Sequence, residues 1–193
     1  MADVSFSAAS DAARRRLGER AYSHSLRVAD VAAGLAMVYH ADAAKAKVAG
    51  VLHDWDREIP TDEMLDRARD MGVEVSDLDQ DAPHLLHART AAAELRALLP
   101  ELPDDVTNAV ARHTVGAADM TELDMIVYIA DMIEPGRHYP GIPALREAVG
   151  TVSLGELFAM CYQHTLGYLV AARRRIHPDT IAVWNALVAV ETR

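Results

Sequence analysis

The apolar run Val48-Ala49-Gly50-Val51-Leu52 is followed at once by His53 and Asp54, and this junction constrains the fold more than any other stretch. A carboxylate at the end of a buried segment is prohibitively costly unless it is paired, hydrogen-bonded or bound to a metal. The same demand arises at Asp131, within Met125-Ile126-Val127-Tyr128-Ile129-Ala130-Asp131-Met132-Ile133. There apolar residues cover nearly the whole circumference of a helix, the mark of a buried element. Partners for the two carboxylates are spaced along the chain: His24, His53, His87 and His113, each on or beside its own helical pattern. Taken singly, a buried aspartate is as well explained by an arginine or a helix N-terminus. A lone histidine on an apolar face is more often a hydrogen-bonded core residue than a ligand. Together, four imidazoles and two carboxylates make a nitrogen/oxygen donor set suited to divalent iron, manganese, cobalt or zinc. With no thiolate among them, a cysteine-type structural zinc site is excluded.

Composition agrees with a helical framework for these residues. The chain has 193 residues, 51% of them hydrophobic but only 5% aromatic, and Ala and Leu dominate. That mix favours helix-on-helix packing over a sheet core, and the length suffices for one buried core. The expectation is an all-α, single-domain bundle over 1–193. Its metal-site core spans about 19–140, and C-terminal helices over about 153–191 pack on it. Periodicity and capping signals predict helices over about 7–17, 19–39 and 42–54, a short charged helix over 61–72, and others over 83–99 and 105–114. Thr121/Asp124 and Ser153/Glu156 resemble capping boxes for helices ending at Glu134 and about Arg175, and a last helix runs from His177-Pro178-Asp179 to near Glu191. The acidic stretch 73–82 lacks periodicity and is expected to be loop.

The net charge of -10 argues against extended nucleic-acid or anionic-membrane binding. It leaves room for a small phosphate-bearing substrate, because a metal and a few arginines can reverse the local field. The single cysteine, Cys161, fits a reducing compartment. No apolar signal core and no run approaching the roughly 20 residues of a membrane span are present, so a cytoplasmic location is expected. A homodimer is left open by the sequence.

The order His24, His53-Asp54, His87, His113, Asp131 resembles the HD-domain metal-dependent phosphohydrolases, in the version that holds two metals. A narrower likeness lies in His113-Thr114-Val115-Gly116, Met120-Thr121, Leu123-Asp124 and Ile129 through Gly141, and continues to His177-Pro178-Asp179-Thr180. These segments are similar to the YqeK group, the bacterial symmetrical diadenosine-tetraphosphate hydrolases. The resemblance implies an HD-type bundle with a dinuclear site, in which His24, His53, Asp54 and Asp131 hold one metal. His87 and His113 would hold the second, with Asp54 bridging. It points to iron, with manganese or cobalt as alternatives. Asp54, His87 and His113 become the catalytic candidates: a metal-bridging hydroxide would attack phosphorus and split diadenosine tetraphosphate into two ADP. Two metals about 3.5–4 Å apart suit such a displacement.

A polyphosphate also needs cations beyond the metals. Arg27 shares the helix face of His24, Arg57 follows Asp54 by three residues in a loop-like stretch, and Arg137 follows the Glu-Pro-Gly break after Asp131. These three are the substrate-binding candidates, with Thr114 and Tyr139 as hydrogen-bonding partners. The chain departs from the resemblance in the alanines around His87 and in Asp56, which would place a negative charge near the phosphates. The bland reading suits His40, His84, His138, His164, His177 and the basic run Arg173-Arg174-Arg175, which complements a helix C-terminus. Two alternatives keep the fold: an HD phosphohydrolase acting on a nucleoside mono- or triphosphate or a guanosine-tetraphosphate alarmone, and a nucleotide-sensing module without turnover.

Overall fold

The computed structural model describes residues 5–191, so 1–4 and 192–193 of the expected 1–193 domain lie outside the described residues. Within them the chain forms eleven helices and no strand: α1 (Phe6–Arg16), α2 (Glu19–Val38), α3 (Ala43–Leu52), α4 (Thr61–Asp70), α5 (Asp77–Asp81), α6 (His87–Leu98), α7 (Asp104–Arg112), α8 (Glu122–Ile133), α9 (Ile142–Ala148), α10 (Leu154–Ala171) and α11 (Pro178–Glu191). The all-α expectation is met.

The longest helix, α2, buries Ser25, Val28, Ala29, Ala32, Leu35 and Ala36, a stripe at three- and four-residue spacing. Asp42 caps α3 by accepting from Ala44 N at 2.9 Å and Lys45 N at 3.0 Å, so the chain reverses within a few residues. The two helices therefore run antiparallel and cross closely. A Cβ added at Gly50 would stand 2.7 Å from the Ala29 Cα, so only glycine allows this approach. The crossing sets the site: five residues before Ala29 and three after Gly50, the His24 and His53 rings meet edge to face with centroids 5.2 Å apart. Helix α8 packs on α2, α7 and α10, and Tyr128 stacks among Phe158 and Tyr162 with centroids 5.3 and 5.4 Å away. One apolar cluster runs from Ala9 to Val183, and a smaller one holds Met64, Ala68 and Leu86.

Both expected capping boxes form, Thr121 with Asp124 and Ser153 with Glu156. Other boundaries differ. The expected loop 73–82 contains α5, which has its own capping box between Ser76 and Asp79 but too few residues to show a period. Pro83 opens a 3₁₀ turn, Pro83–Leu86, and the α-helix begins only at His87. Helix α7 begins at Asp104, one residue before the expected 105, behind Pro103. Helix α9 was not foreseen, being seven residues long. Helix α10 stops at Ala171, not near Arg175, because Arg173 turns left-handed with φ 52°.

Candidate metal centre

Three of the four candidate imidazoles sit where a helix or turn ends or changes type, and the backbone there orients them. The last carbonyls of a helix have no partner in it. His53 caps α3 and its Nδ1 donates to the Gly50 carbonyl at 2.8 Å, while His113 caps α7 and donates to Val110 at 2.7 Å. His87 follows the 3₁₀ turn and donates to the His84 carbonyl at 2.6 Å. A carbonyl only accepts, so each Nδ1 carries a proton and each ring turns its Nε2 inward. His24, mid-helix in α2, obtains the same orientation from a side chain: Glu134 Oε1 lies 3.1 Å from its Nδ1.

The four Nε2 atoms converge on the carboxylates. Asp54 divides its oxygens between them. Its Oδ1 lies 3.1 Å from His87 and 3.7 Å from His113, and its Oδ2 lies 3.4 Å from His53 and 3.7 Å from His24. Asp131 Oδ1 stands 3.0 Å from His24 Nε2 and 3.9 Å from His53 Nε2. Donor atoms bound at right angles about 2.1 Å from one ion stand about 3.0 Å apart, so the spacing suits coordination. Two sets of donors gather within 4.8 Å of one another, His24/His53/Asp131 and His53/Asp54/His113. His87 joins through its 3.1 Å approach to His113 Nε2, two lone pairs that repel without a cation or proton between them. Buried His24 Nε2 and His53 Nε2 make no hydrogen bond. Orphaned inward-facing nitrogens beside two carboxylates fit a divalent metal.

Electrostatics agree. Burial would raise the Asp54 carboxyl, but the surrounding imidazoles, His53 foremost, hold it well below the ordinary range. Asp131 is likewise held down against burial, by His24, His53 and Arg137. Burial pulls His53 down, yet Asp54 and Asp131 outweigh it and raise the imidazole to about 9. Burial keeps His113 low, as do the neighbouring His53 and His87. The carboxylates thus stay ionised at neutral pH and demand positive charge.

The surrounding candidates are placed unevenly. Arg27 is engaged by Glu134, with Nε 2.6 Å from Oε2, and Arg137 bonds the Asp131 carbonyl through Nε at 3.0 Å and its carboxylate through Nη2. Thr114 Oγ1 is buried without a hydrogen-bond partner, whereas Tyr139 and Arg57 are exposed. Asp56 contradicts its expected place near the phosphates. Its side chain is fully buried, held by Arg16 at 2.7 Å and by Arg67 at 2.8 and 2.9 Å, so it braces the turn below His53-Asp54. The alanines Ala88, Ala91 and Ala92 are wholly buried in the core, on the helix that opens with His87.

Glu134 escaped the sequence reading. Only 2% exposed, it ties His24 to Arg27 and accepts from Gly136 N at 2.6 Å. A Cβ at position 136 would fall 2.9 Å from both Glu134 Oε1 and Arg27 Nη2, so the glycine makes this cradle. A glutamate closing an apolar helix before Pro-Gly was the available signal, but it reads equally well as a solvated helix end.

The HD domain family model matches residues 21–136, the stretch that holds all six convergent side chains. A protein of Halalkalibacterium halodurans named "Bis(5'-nucleosyl)-tetraphosphatase, symmetrical" is 32% identical over 172 residues, 89% of this chain and 91% of that protein. One of the same name from Bacillus subtilis is 30% identical over 176 residues, 91% of this chain and 94% of its own length. Among solved structures, a "predicted HD superfamily hydrolase involved in NAD metabolism" from Clostridium acetobutylicum shares 32% identity and a TM-score of 0.89, covering 98% of this chain and all of that one. On these matches the chain belongs to the HD-domain family, in the YqeK-type branch of its symmetrical bis(5'-nucleosyl)-tetraphosphatase relatives.

Proposed function

We propose that this chain is a metal-dependent hydrolase that cleaves dinucleoside polyphosphates symmetrically, turning diadenosine tetraphosphate and water into two ADP. The observation that carries the reading is Asp54, whose two oxygens face separate histidine pairs (His87 with His113, His53 with His24). Such a carboxylate suits a bridge between two ions. The names of the two relatives that match nearly end to end support the reaction class.

In this proposal His24, His53, Asp54 and Asp131 hold one ion, and His87 and His113 share Asp54 to hold the other. The chemistry two such ions supply is activation of a water and stabilisation of the attacking and leaving oxygens. We take iron as the metal, with manganese or cobalt also compatible with these donors. The rest falls to the chain's own groups. Nδ1 donation to Gly50, His84, Val110 and Glu134 fixes four rings, so little reorganisation remains when substrate arrives. Thr114, whose buried hydroxyl has no partner, would donate to a phosphate oxygen. Arg27, Arg57 and Arg137 provide cations and Tyr139 an exposed ring for the nucleotide. A cytoplasmic location fits the free, buried Cys161, and no described helix is long and apolar enough to cross a membrane.

The test is to incubate metal-reconstituted protein with diadenosine tetraphosphate and resolve the nucleotides formed. ADP as sole product supports the proposal. AMP with ATP means asymmetric attack, and no turnover with iron, manganese or cobalt overturns the enzymatic reading.

A further inference from the structure

Asp56 is the centre of a buried ion network drawn from four parts of the chain. Its carboxylate, with no exposed surface, accepts from Arg16 Nη2 of α1 at 2.7 Å and from Arg67 Nε and Nη2 of α4 at 2.8 and 2.9 Å. Arg67 Nη2 also reaches the Glu94 carboxylate of α6 at 2.7 Å, and Arg16 Nη2 stands 3.4 Å from it. The indole Nε1 of Trp55 donates to Glu94. Arg16 Nε donates to the Trp55 carbonyl at 3.2 Å, and its guanidinium lies 5.7 Å from the centre of the Trp55 ring.

Two arginines here balance two carboxylates, so the network has no spare charge to offer a ligand. Apolar residues of like volume would hold a fold as well, and a buried ion network is therefore weak evidence for stability. Its place is more informative. Trp55 and Asp56 directly follow Asp54 in the chain. Glu94 lies two helical turns after His87, on the same face of α6. The network thus ties the turn that carries Asp54 to the helix that opens with His87, and Asp54 Oδ1 meets His87 Nε2 at 3.1 Å. Among the described residues, none of its bonds reaches α2 or α8, which carry His24 and Asp131. Arg16 lies before residue 21, where the HD match begins, so α1 acts on a site to which it contributes no donor.

Resting on the two-ion reading above, we propose that Arg16, Asp56, Arg67 and Glu94 are positioning residues that set the spacing of Asp54 and His87. They thereby set the affinity of the ion held by His87, His113 and Asp54. The ion on the other side keeps His24 and Asp131, which the network does not touch. The carboxylate at position 56 then serves the centre from behind, through the backbone, and meets no phosphate.

Full-length protein stripped of metal is titrated calorimetrically with Mn²⁺, as wild type, Arg16→Gln and Glu94→Gln. Both variants leave Asp56 bonded to Arg67, so the turn keeps a partner. The wild type should take up two ions. Each variant should bind one of them about tenfold more weakly, the lower end of the loss expected when a residue behind a ligand is removed. The weakened step should be the one that His87→Ala abolishes. At limiting Mn²⁺ kcat should fall, and excess Mn²⁺ should restore it with KM unchanged. Leu157→Ala, a core truncation on α10 outside the network, should lower Tm yet leave both ion affinities alone. Unchanged affinities in both variants, or an equal loss in Leu157→Ala, overturn the positioning role. A wild type that takes up a single ion overturns it together with the two-ion reading. If the wild type binds two ions and cleaves no dinucleoside polyphosphate, yet the variants lose one ion, the hydrolase reading falls and the positioning role stands.

Discussion

An imidazole can face a metal through either nitrogen, and what the other nitrogen bonds decides which. Here carbonyls at 2.6–2.8 Å make that choice for His53, His87 and His113, and a carboxylate makes it for His24. The difference has a consequence: a backbone carbonyl cannot be mutated away, whereas Glu134 can. Glu134→Gln keeps the shape but substitutes a neutral amide for the carboxylate that accepts from His24 and Arg27. It should weaken metal binding or activity by about 10–100-fold, the usual cost of losing a residue that orients a ligand. Metal titration alongside steady-state kinetics reads this directly, and an unchanged metal affinity would assign Glu134 to Arg27 alone. Asp54→Ala is expected to remove activity and lower bound metal together. Activity retained in a metal-poor Asp54→Ala preparation would exclude the bridging role.

At the scale of elements, the site is a product of helix ends and one close crossing. Gly50 lets α3 touch α2, and a methyl group there meets the Ala29 backbone at 2.7 Å, which cannot swing aside like a side chain. Gly50→Ala should cost about 1–3 kcal/mol by overpacking, with Tm falling about 2–4 °C for each kcal/mol. Because Gly50 also supplies the carbonyl for His53, the same variant should bind metal more weakly, which Phe158→Ala, whose ring packs on Tyr128 and Tyr162, should not. The segment carrying α5 offers a pH test. Burial would raise the Asp79 carboxyl, but bonds from Arg89 at 2.6 Å and from Ser76 outweigh it and hold it down. A depressed folded pKa means stability that is present above the unfolded value near pH 4, about 3.9, and is lost as pH falls through the lower folded one. Asp79→Asn should thus lower Tm at neutral pH, by about 1–3 kcal/mol in stability, and the deficit should shrink below about pH 4. A deficit constant with pH would detach Asp79 from this pairing.

Across the whole molecule, what the sequence makes legible follows burial. The six candidate donors stand out in the sequence because each is a polar group within or at the end of a helical pattern, and the long helices because their apolar stripes run for several turns. Asp56 misleads for the same reason: it adjoins His53-Asp54 in the chain, but its partners Arg16 and Arg67 are 40 and 11 residues away. Glu134, α5 and α9 are hidden because short or terminal segments show no period, and the early end of α10 depends on a left-handed turn at Arg173, a residue that is not glycine. Ligand binding to the folded state alone stabilises it, so chelation should lower Tm and the cognate ion should restore it. At a free ion concentration 100 times Kd, one site contributes about 2.7 kcal/mol.

The gathering of six distant side chains around two ions is tested most directly by anomalous diffraction from crystals of the metal-loaded protein, recorded at the metal's absorption edge. Two peaks are expected, one among His24, His53 and Asp131 and one between His87 and His113, with Asp54 touching both. Peaks elsewhere, or protein that cleaves diadenosine tetraphosphate with no anomalous signal at these residues, would contradict it.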